Sequence, residues 1–369
     1  MAPDRSNLQQ SRRLDAVQLL RALAALSVVL AHALHETGAH ENALNFGYGV
    51  DVFFVISGFI MAHTSLREFG RPGASLRFFT RRLARVAPLY WLLTTAMLAG
   101  ALFAPSLLNV PTGGVGHILA SYLFIPDARG AGEMRPVMAL GWTLNYEMFF
   151  YFLFSLALLA PARAGLAWLA TLMPLLVLYG AFVGSSDPRI TFWTNPILLE
   201  FLAGVVVALL HDRGLRVSGR LAFGLLALGL LGFFPRPLSV EPDIWRATLC
   251  GLPAALLVTA ATLGPVTPTG RLAAWGVALG DASYSLYLVH PFILRPLRVV
   301  WLKAAGPRLD VVFVALAVLG AVAVSLALYR GVERPLSAWS QGLLKRRVSP
   351  PLASRTALAM RRTPSAASS

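Results

Sequence analysis

Charge is scarce in this chain. Only 13% of its 369 residues are Asp, Glu, Lys or Arg, against roughly 25% in an ordinary soluble domain. Acidic groups are the scarcer kind, 17 against 32 Lys and Arg. Cysteine occurs once, at Cys250, which excludes a disulfide scaffold and a cysteine-rich metal site. Apolar surface stands in their place: 56% of residues are hydrophobic and the mean hydropathy is +0.65. One soluble core does not use that much, because single cores stop growing near ~250–300 residues. An all-α polytopic membrane bundle is implied. The net charge of +15 does not signal a nucleic-acid partner, because the basic residues lie mostly in short loops and the C-terminal tail, where Lys and Arg mark topology.

A spanning helix needs about 20 mostly apolar residues. Ten windows qualify, near 15–34, 47–65, 84–104, 138–160, 165–184, 194–211, 220–235, 246–264, 281–302 and 311–330. The stretch 114–125 is too short to span and reads as re-entrant or interfacial. The first run lacks a small-x-small exit and contains Arg21 and His32, so it reads as a retained helix rather than a cleaved signal. With both termini cytoplasmic, 23 of the 32 Lys and Arg fall on the inner side, which fits the positive-inside rule. The expected organisation is a cytoplasmic segment 1–14, a membrane domain 15–335 and a basic, mostly disordered cytoplasmic tail 336–369. Neither a second soluble domain nor the inverted repeat of many transporters is visible.

Ionisable side chains inside spans are costly and mark functional sites by default. Arg21 and His32 are eleven residues apart, about three turns, so they share one face of the first helix some ~16 Å apart. Asp51 opens the second helix and, counted inward from the loop, comes to a depth close to that of His32. A carboxylate beside an imidazole fixes its tautomer and raises its basicity, which a general base requires. Arg82 and Arg85, spaced i,i+3 before Pro88-Leu-Tyr-Trp, are either inner-side topology anchors or a forked anion site, with Arg21 an added cation. Glu147 lies about ten residues into the fourth span, too deep to reach water along its own stem. His290 is a second intramembrane histidine, and Glu333 closes the last span. Ser57-Gly58 reads as close helix packing, since the nucleophile elbow Gly-x-Ser-x-Gly is absent. His35, His40 and His63 form no plausible metal set with His32, being spread over both faces.

The segments around these residues resemble the acyltransferase 3 family of integral membrane acyltransferases, from Leu14 to Pro335. The matching motifs are Arg21-x10-His32, Gly49-Val-Asp-Val-Phe-Phe-Val-Ile-Ser-Gly-Phe, Arg82-x-x-Arg85 with Pro88-Leu-Tyr-Trp, Trp142-Thr-Leu-x-Tyr-Glu147, Ser283-Tyr-Ser-Leu-Tyr287-Leu-Val-His290 and Glu333-Arg-Pro. The wording of two of them is similar to the branch that decorates bacterial exopolysaccharide. The resemblance implies an enzyme of the bacterial inner membrane that transfers an acyl group, usually acetyl, from cytoplasmic acyl-CoA to a glycan or lipid-linked oligosaccharide. Acetyl-CoA is then a substrate and no cofactor is held permanently. His32, Asp51 and Glu147 would be catalytic and Arg21, Arg82 and Arg85 would hold the donor, with Tyr287, His290 and Glu333 as further candidates. Other polysaccharide-assembly proteins would be partners. Direct transfer and a ping-pong route through acylated His32 both remain open. A transporter or exporter of a polysaccharide or lipid intermediate, and an acyltransferase for a non-glycan small molecule, are the competing readings.

Overall fold

The computed structural model describes residues 5–38, 46–104, 112–128, 134–233, 245–265, 268–306 and 309–348, with the backbone alone for 5–14, 46 and 345–348. His40 and the chain from 349 onward, parts of the expected outer loop and tail, lie outside the described residues. All regular structure among the described residues is helical.

The helices are α1 (Arg5–Glu36), α2 (Gly49–Ser65), α3 (Ala74–Phe103), α4 (Val115–Tyr122), α5 (Trp142–Ala157), α6 (Ala162–Phe182), α7 (Pro188–Trp193), α8 (Leu198–Asp212), α9 (Gly219–Gly232), α10 (Leu252–Leu263), α11 (Arg271–Asp281), α12 (Ser283–Val289), α13 (Pro291–Ala304), α14 (Asp310–Leu328) and α15 (Arg334–Val348). Two π turns, Ala247–Gly251 and Tyr329–Glu333, lead into α10 and α15. Among the described residues, six segments are long and apolar enough to cross a membrane: Asp15–Glu36, Gly49–Glu68, Ala74–Phe103, Ala162–Phe182, Pro188–Asp212 and Asp310–Leu344. The windows at 138–160, 220–235 and 246–264 hold shorter apolar helices. The window at 281–302 is not one helix. It breaks at Ala282 and again at His290, where Pro291, which has no N–H to donate, starts α13.

Glycines set the closest crossings. A Cβ on Gly58 would collide with the Phe201 carbonyl, and one on Gly204 with that of Val55, so α2 and α8 touch backbone to backbone. Gly58 thus packs as the sequence suggests. Gly49 meets the carbonyl of Ala24, and Gly280 that of Gln18, fastening α2 and α11 onto α1.

The first residues of the expected tail are helical. Residues 334–348 continue the long helix beyond α14, and Ser340 Oγ donates to the Ala84 carbonyl of α3 at 2.8 Å. Helix propagation is inexpensive once a long helix exists, so a polar, basic composition did not prevent order here.

Candidate active site

The helices α1, α2, α3, α5 and α12 surround an elongated slot of about 870 Å³, open mouth included. Its wall follows α2 from Val50 to Ile60, ten residues or about 15 Å of helix. Arg21, Arg82 and Arg85 all line it, so three cations from α1 and α3 share one cavity. They are close enough to act on one another: Arg85 opposes both Arg21 and Arg82 electrostatically. Arg82 lies over the rings of Phe78 and Tyr151 at 5.5 and 5.9 Å and donates to Thr64 Oγ1 at 3.3 Å, which places it toward the C-terminal end of α2. Arg21 donates to Gln18 Oε1 at 3.1 Å, and Gln18 donates to Asp281 at 2.5 Å.

Glu147 stands in the slot wall. Ser57 Oγ and Tyr151 Oη each donate to its Oε1 at 2.5 Å. Ser57 therefore does more than pack, because its hydroxyl helps to hold the one carboxylate that faces the arginines inside the slot. Glu333 is buried behind the wall, where its Oε2 accepts from Ser285 Oγ at 2.5 Å and where it attracts Arg85 and Arg21. The π turn Tyr329–Glu333 carries it inward, as such bulges commonly do at functional positions. Tyr287 lines the opposite end, its hydroxyl within 3.0 Å of Thr143 Oγ1 and donating to the Leu140 carbonyl at 3.2 Å.

Neither His32 nor Asp51 lines this slot. His32 lies beyond the Tyr287 end: the Tyr287 and His290 ring centroids are 6.2 Å apart, and those of His290 and His32 are 5.0 Å apart. The expected pairing of His32 with Asp51 does not form. Asp51 is completely buried and accepts from Arg246 Nη2 at 2.8 Å. The cause is depth. Because Gly49 packs on Ala24, α2 begins eight residues before His32 on α1, about 12 Å along the axis, and Asp51 lies lower still. His32 is held instead by its own helix. Its Nδ1 lies 2.8 Å from the Val28 carbonyl oxygen, which can only accept, so Nδ1 carries the proton and Nε2 the lone pair.

Asp51 belongs to another cluster, with Glu200 of α8, which is buried and interacts with both Asp51 and Arg246. Sequence reasoning passed over Glu200 and Arg246. Glu200 lies inside the sixth apolar window, so the rule that singled out Glu147 would have found it. At the other end of α2, His63 stacks on Phe59 and meets the His211 ring edge-on at 5.0 Å. Among the described residues no group of three or more His, Cys, Asp and Glu converges on a metal position.

Outside the spans, Asp127 ties two short helices together. It accepts from Arg189 of α7 at 2.7 Å and lies 3.3 Å from His117 Nδ1 of α4. The Arg189 hydrogen bond, with His117 adding to it, holds the Asp127 carboxyl below the usual carboxylate range.

Apolar helices thus surround a cavity lined by three arginines and one carboxylate, with a pair of imidazoles adjoining its Tyr287 end. The chain belongs to the acyltransferase 3 family: the family's acyltransferase domain matches residues 14–330. It is 36% identical over 332 residues to the exopolysaccharide production protein ExoZ of Rhizobium meliloti, covering 89% of this chain and all of ExoZ. It is 29% identical to the acyltransferase MdmB of Streptomyces mycarofaciens, over 77% of this chain and 79% of MdmB. Against the O-acetyltransferase OatA of Staphylococcus aureus it is 24% identical, over 88% of this chain and 57% of OatA. No solved structure matches. The chain is thus a membrane acyltransferase with O-acetyltransferases among its relatives.

Proposed function

We propose that the protein transfers an acetyl group from cytoplasmic acetyl-CoA to a hydroxyl of an exopolysaccharide or its lipid-linked precursor, in the bacterial inner membrane. The observation that carries this reading is the slot with three arginines toward one end and, past Tyr287 at the other, the two histidines. Coenzyme A is a phosphate-bearing anion, and arginine forks suit phosphate. Arg21, Arg82 and Arg85 hold the phosphates at the cytoplasmic end, and the thioester arm lies along α2. The ~15 Å of wall suits an arm that must carry an acyl group deep into the bilayer.

His32 is the base. With its proton fixed on Nδ1 by Val28, Nε2 is free to take the proton of an incoming hydroxyl. The hydroxyl oxygen attacks the thioester carbon, the C–S bond breaks, and the thiolate recovers the proton. A positioned base supplies about 10²–10⁴ in rate, and confinement of both substrates in one dry bundle adds proximity. Glu147 stabilises the arginines in the donor-free slot and orients the Ser57 and Tyr151 hydroxyls. The similarity to ExoZ favours an exopolysaccharide as acceptor.

Purified protein in nanodiscs, given acetyl-labelled acetyl-CoA and the polysaccharide of its host, tests the reading. Label on the polysaccharide, together with loss of polysaccharide acetyl in cells lacking the protein, is the expected result. Unchanged polysaccharide acetylation in those cells contradicts it.

A further inference from the structure

His290 enters none of the steps above. It is completely buried at the junction of α12 and α13, where Pro291 fixes the chain direction. Its Nδ1 lies 3.1 Å from the Leu286 carbonyl oxygen, one turn back, so that nitrogen carries the proton. The other nitrogen, Nε2, is buried and has no hydrogen-bond partner. An imidazole lone pair left unmet in a dry bundle is costly, and such exceptions in native structures call for an explanation.

His32 repeats the pattern. It sits on the Val28 carbonyl through Nδ1, and its ring lies 5.0 Å from that of His290, tilted by 50°. Two neighbouring imidazoles are therefore set in the same tautomer by carbonyls four residues back on their own helices. In the resting state each offers an acceptor and neither can donate to the other through Nε2. That changes when one of them takes up a proton.

The geometry points to His290 as the positioning residue of a two-imidazole dyad, whose Nε2 accepts a hydrogen bond from His32 once His32 has taken the proton of the acceptor hydroxyl. This rests on His32 being the base. The sequence of bonds balances. The hydroxyl O–H breaks and its proton goes to His32 Nε2, while the oxygen forms the new C–O bond. An ester oxygen competes poorly for that hydrogen, and His290 Nε2 accepts it from His32 Nε2 while Nδ1 stays on the Val28 carbonyl. The C–S bond breaks with its electron pair on sulfur, and the dyad returns the proton to the thiolate. The place that a carboxylate takes beside other catalytic histidines, on Nδ1, is held here by the Val28 carbonyl, and His290 adds an uncharged acceptor for the other nitrogen.

The test compares His290→Gln, whose side-chain oxygen still accepts, with His290→Met, which fills similar volume and accepts weakly. His32→Ala is assayed beside them. Each protein is purified in nanodiscs with acetyl-CoA as donor and methyl β-D-glucoside as the probe hydroxyl, and CoA release and thermal midpoint are recorded. The expected result is a fall in kcat of at least ~100-fold for His290→Met and no more than ~10-fold for His290→Gln. KM for acetyl-CoA and the thermal midpoint stay unchanged in both. These losses fit a positioned proton-transfer group. His290→Met within twofold of wild type, or losses in both variants that follow the thermal midpoint or KM, overturn the dyad. An active His32→Ala overturns the reading of His32 as base, whereas an inactive His32→Ala beside an active His290→Met removes the dyad alone.

Discussion

The Nδ1 of His32 lies 2.8 Å from the carbonyl oxygen of Val28, one turn earlier on the same helix. A backbone carbonyl cannot be mutated away and carries no charge, so the tautomer of His32 is set without placing a carboxylate at that depth. The same device recurs at His290 with Leu286.

Asp51 is accordingly released from the catalytic pair and assigned to the Glu200–Arg246 cluster. Asp51→Asn leaves Glu200 to balance Arg246, and Glu200→Gln leaves Asp51, so each single variant is stable and active. The double variant removes both of the carboxylates that face the guanidinium here. A double-mutant cycle read by thermal unfolding in detergent is expected to give a coupling of ~0.5–3 kcal/mol. Additive losses, or a selective fall in kcat for Asp51→Asn alone, contradict this assignment.

On the proposed function the arginine end binds donor and does no chemistry. Arg85→Ala and Arg82→Ala are expected to raise KM for acetyl-CoA about 10- to 100-fold, the value of one charge-assisted contact of ~1.5–3 kcal/mol, and to leave kcat within a few-fold. Arg82→Lys recovers only part, because its guanidinium also lies over Phe78 and Tyr151. Titration of acetyl-CoA against each variant checks this. Unchanged donor affinity in all of them reduces the arginines to topology anchors.

Glu147→Gln keeps an oxygen for the Ser57 and Tyr151 hydroxyls and removes the charge that faces the arginines. The variant is expected to insert and purify normally and to transfer at least ~10-fold more slowly, which corresponds to one charge-assisted hydrogen bond. A fully active Glu147→Gln with a raised thermal midpoint makes Glu147 a packing residue that the bundle is better without.

Asp127 gives a pH dependence of known sign. Its carboxyl is held below its ordinary value in the folded protein by Arg189, so its contribution is fully present above the unfolded value of about 3.9 and fades as pH falls through the lower folded value. The stability difference between wild type and Asp127→Asn is therefore expected to be constant from pH 7 to pH 5 and to shrink only below about pH 4. A difference that vanishes between pH 7 and pH 5 rules out this role for the carboxylate.

Much of the site was legible because ionisable residues in apolar runs are conspicuous: Arg21, Arg82, Arg85 and Glu147 do line one cavity. What residue counting could not see is where two helices touch. Placing Asp51 level with His32 assumed that α1 and α2 meet at their loop ends, whereas Gly49, lacking a side chain, lets α2 settle lower against Ala24. The Ser57 hydrogen bond was hidden for a similar reason, since a hydroxyl on a packed face gives no periodic signal. The helix over 334–348 was hidden by composition, because its order comes from continuing α14 and from docking on Ala84.

On the proposed function the donor binds in the arginine-lined slot, and His32, beyond its Tyr287 end, removes the proton. Acetyl-CoA binding to His32→Ala in nanodiscs, measured calorimetrically alongside acetyl transfer, tests it most directly. The account predicts wild-type donor affinity with transfer reduced at least ~100-fold. Donor affinity that falls together with transfer, or transfer within a few-fold of wild type, contradicts it.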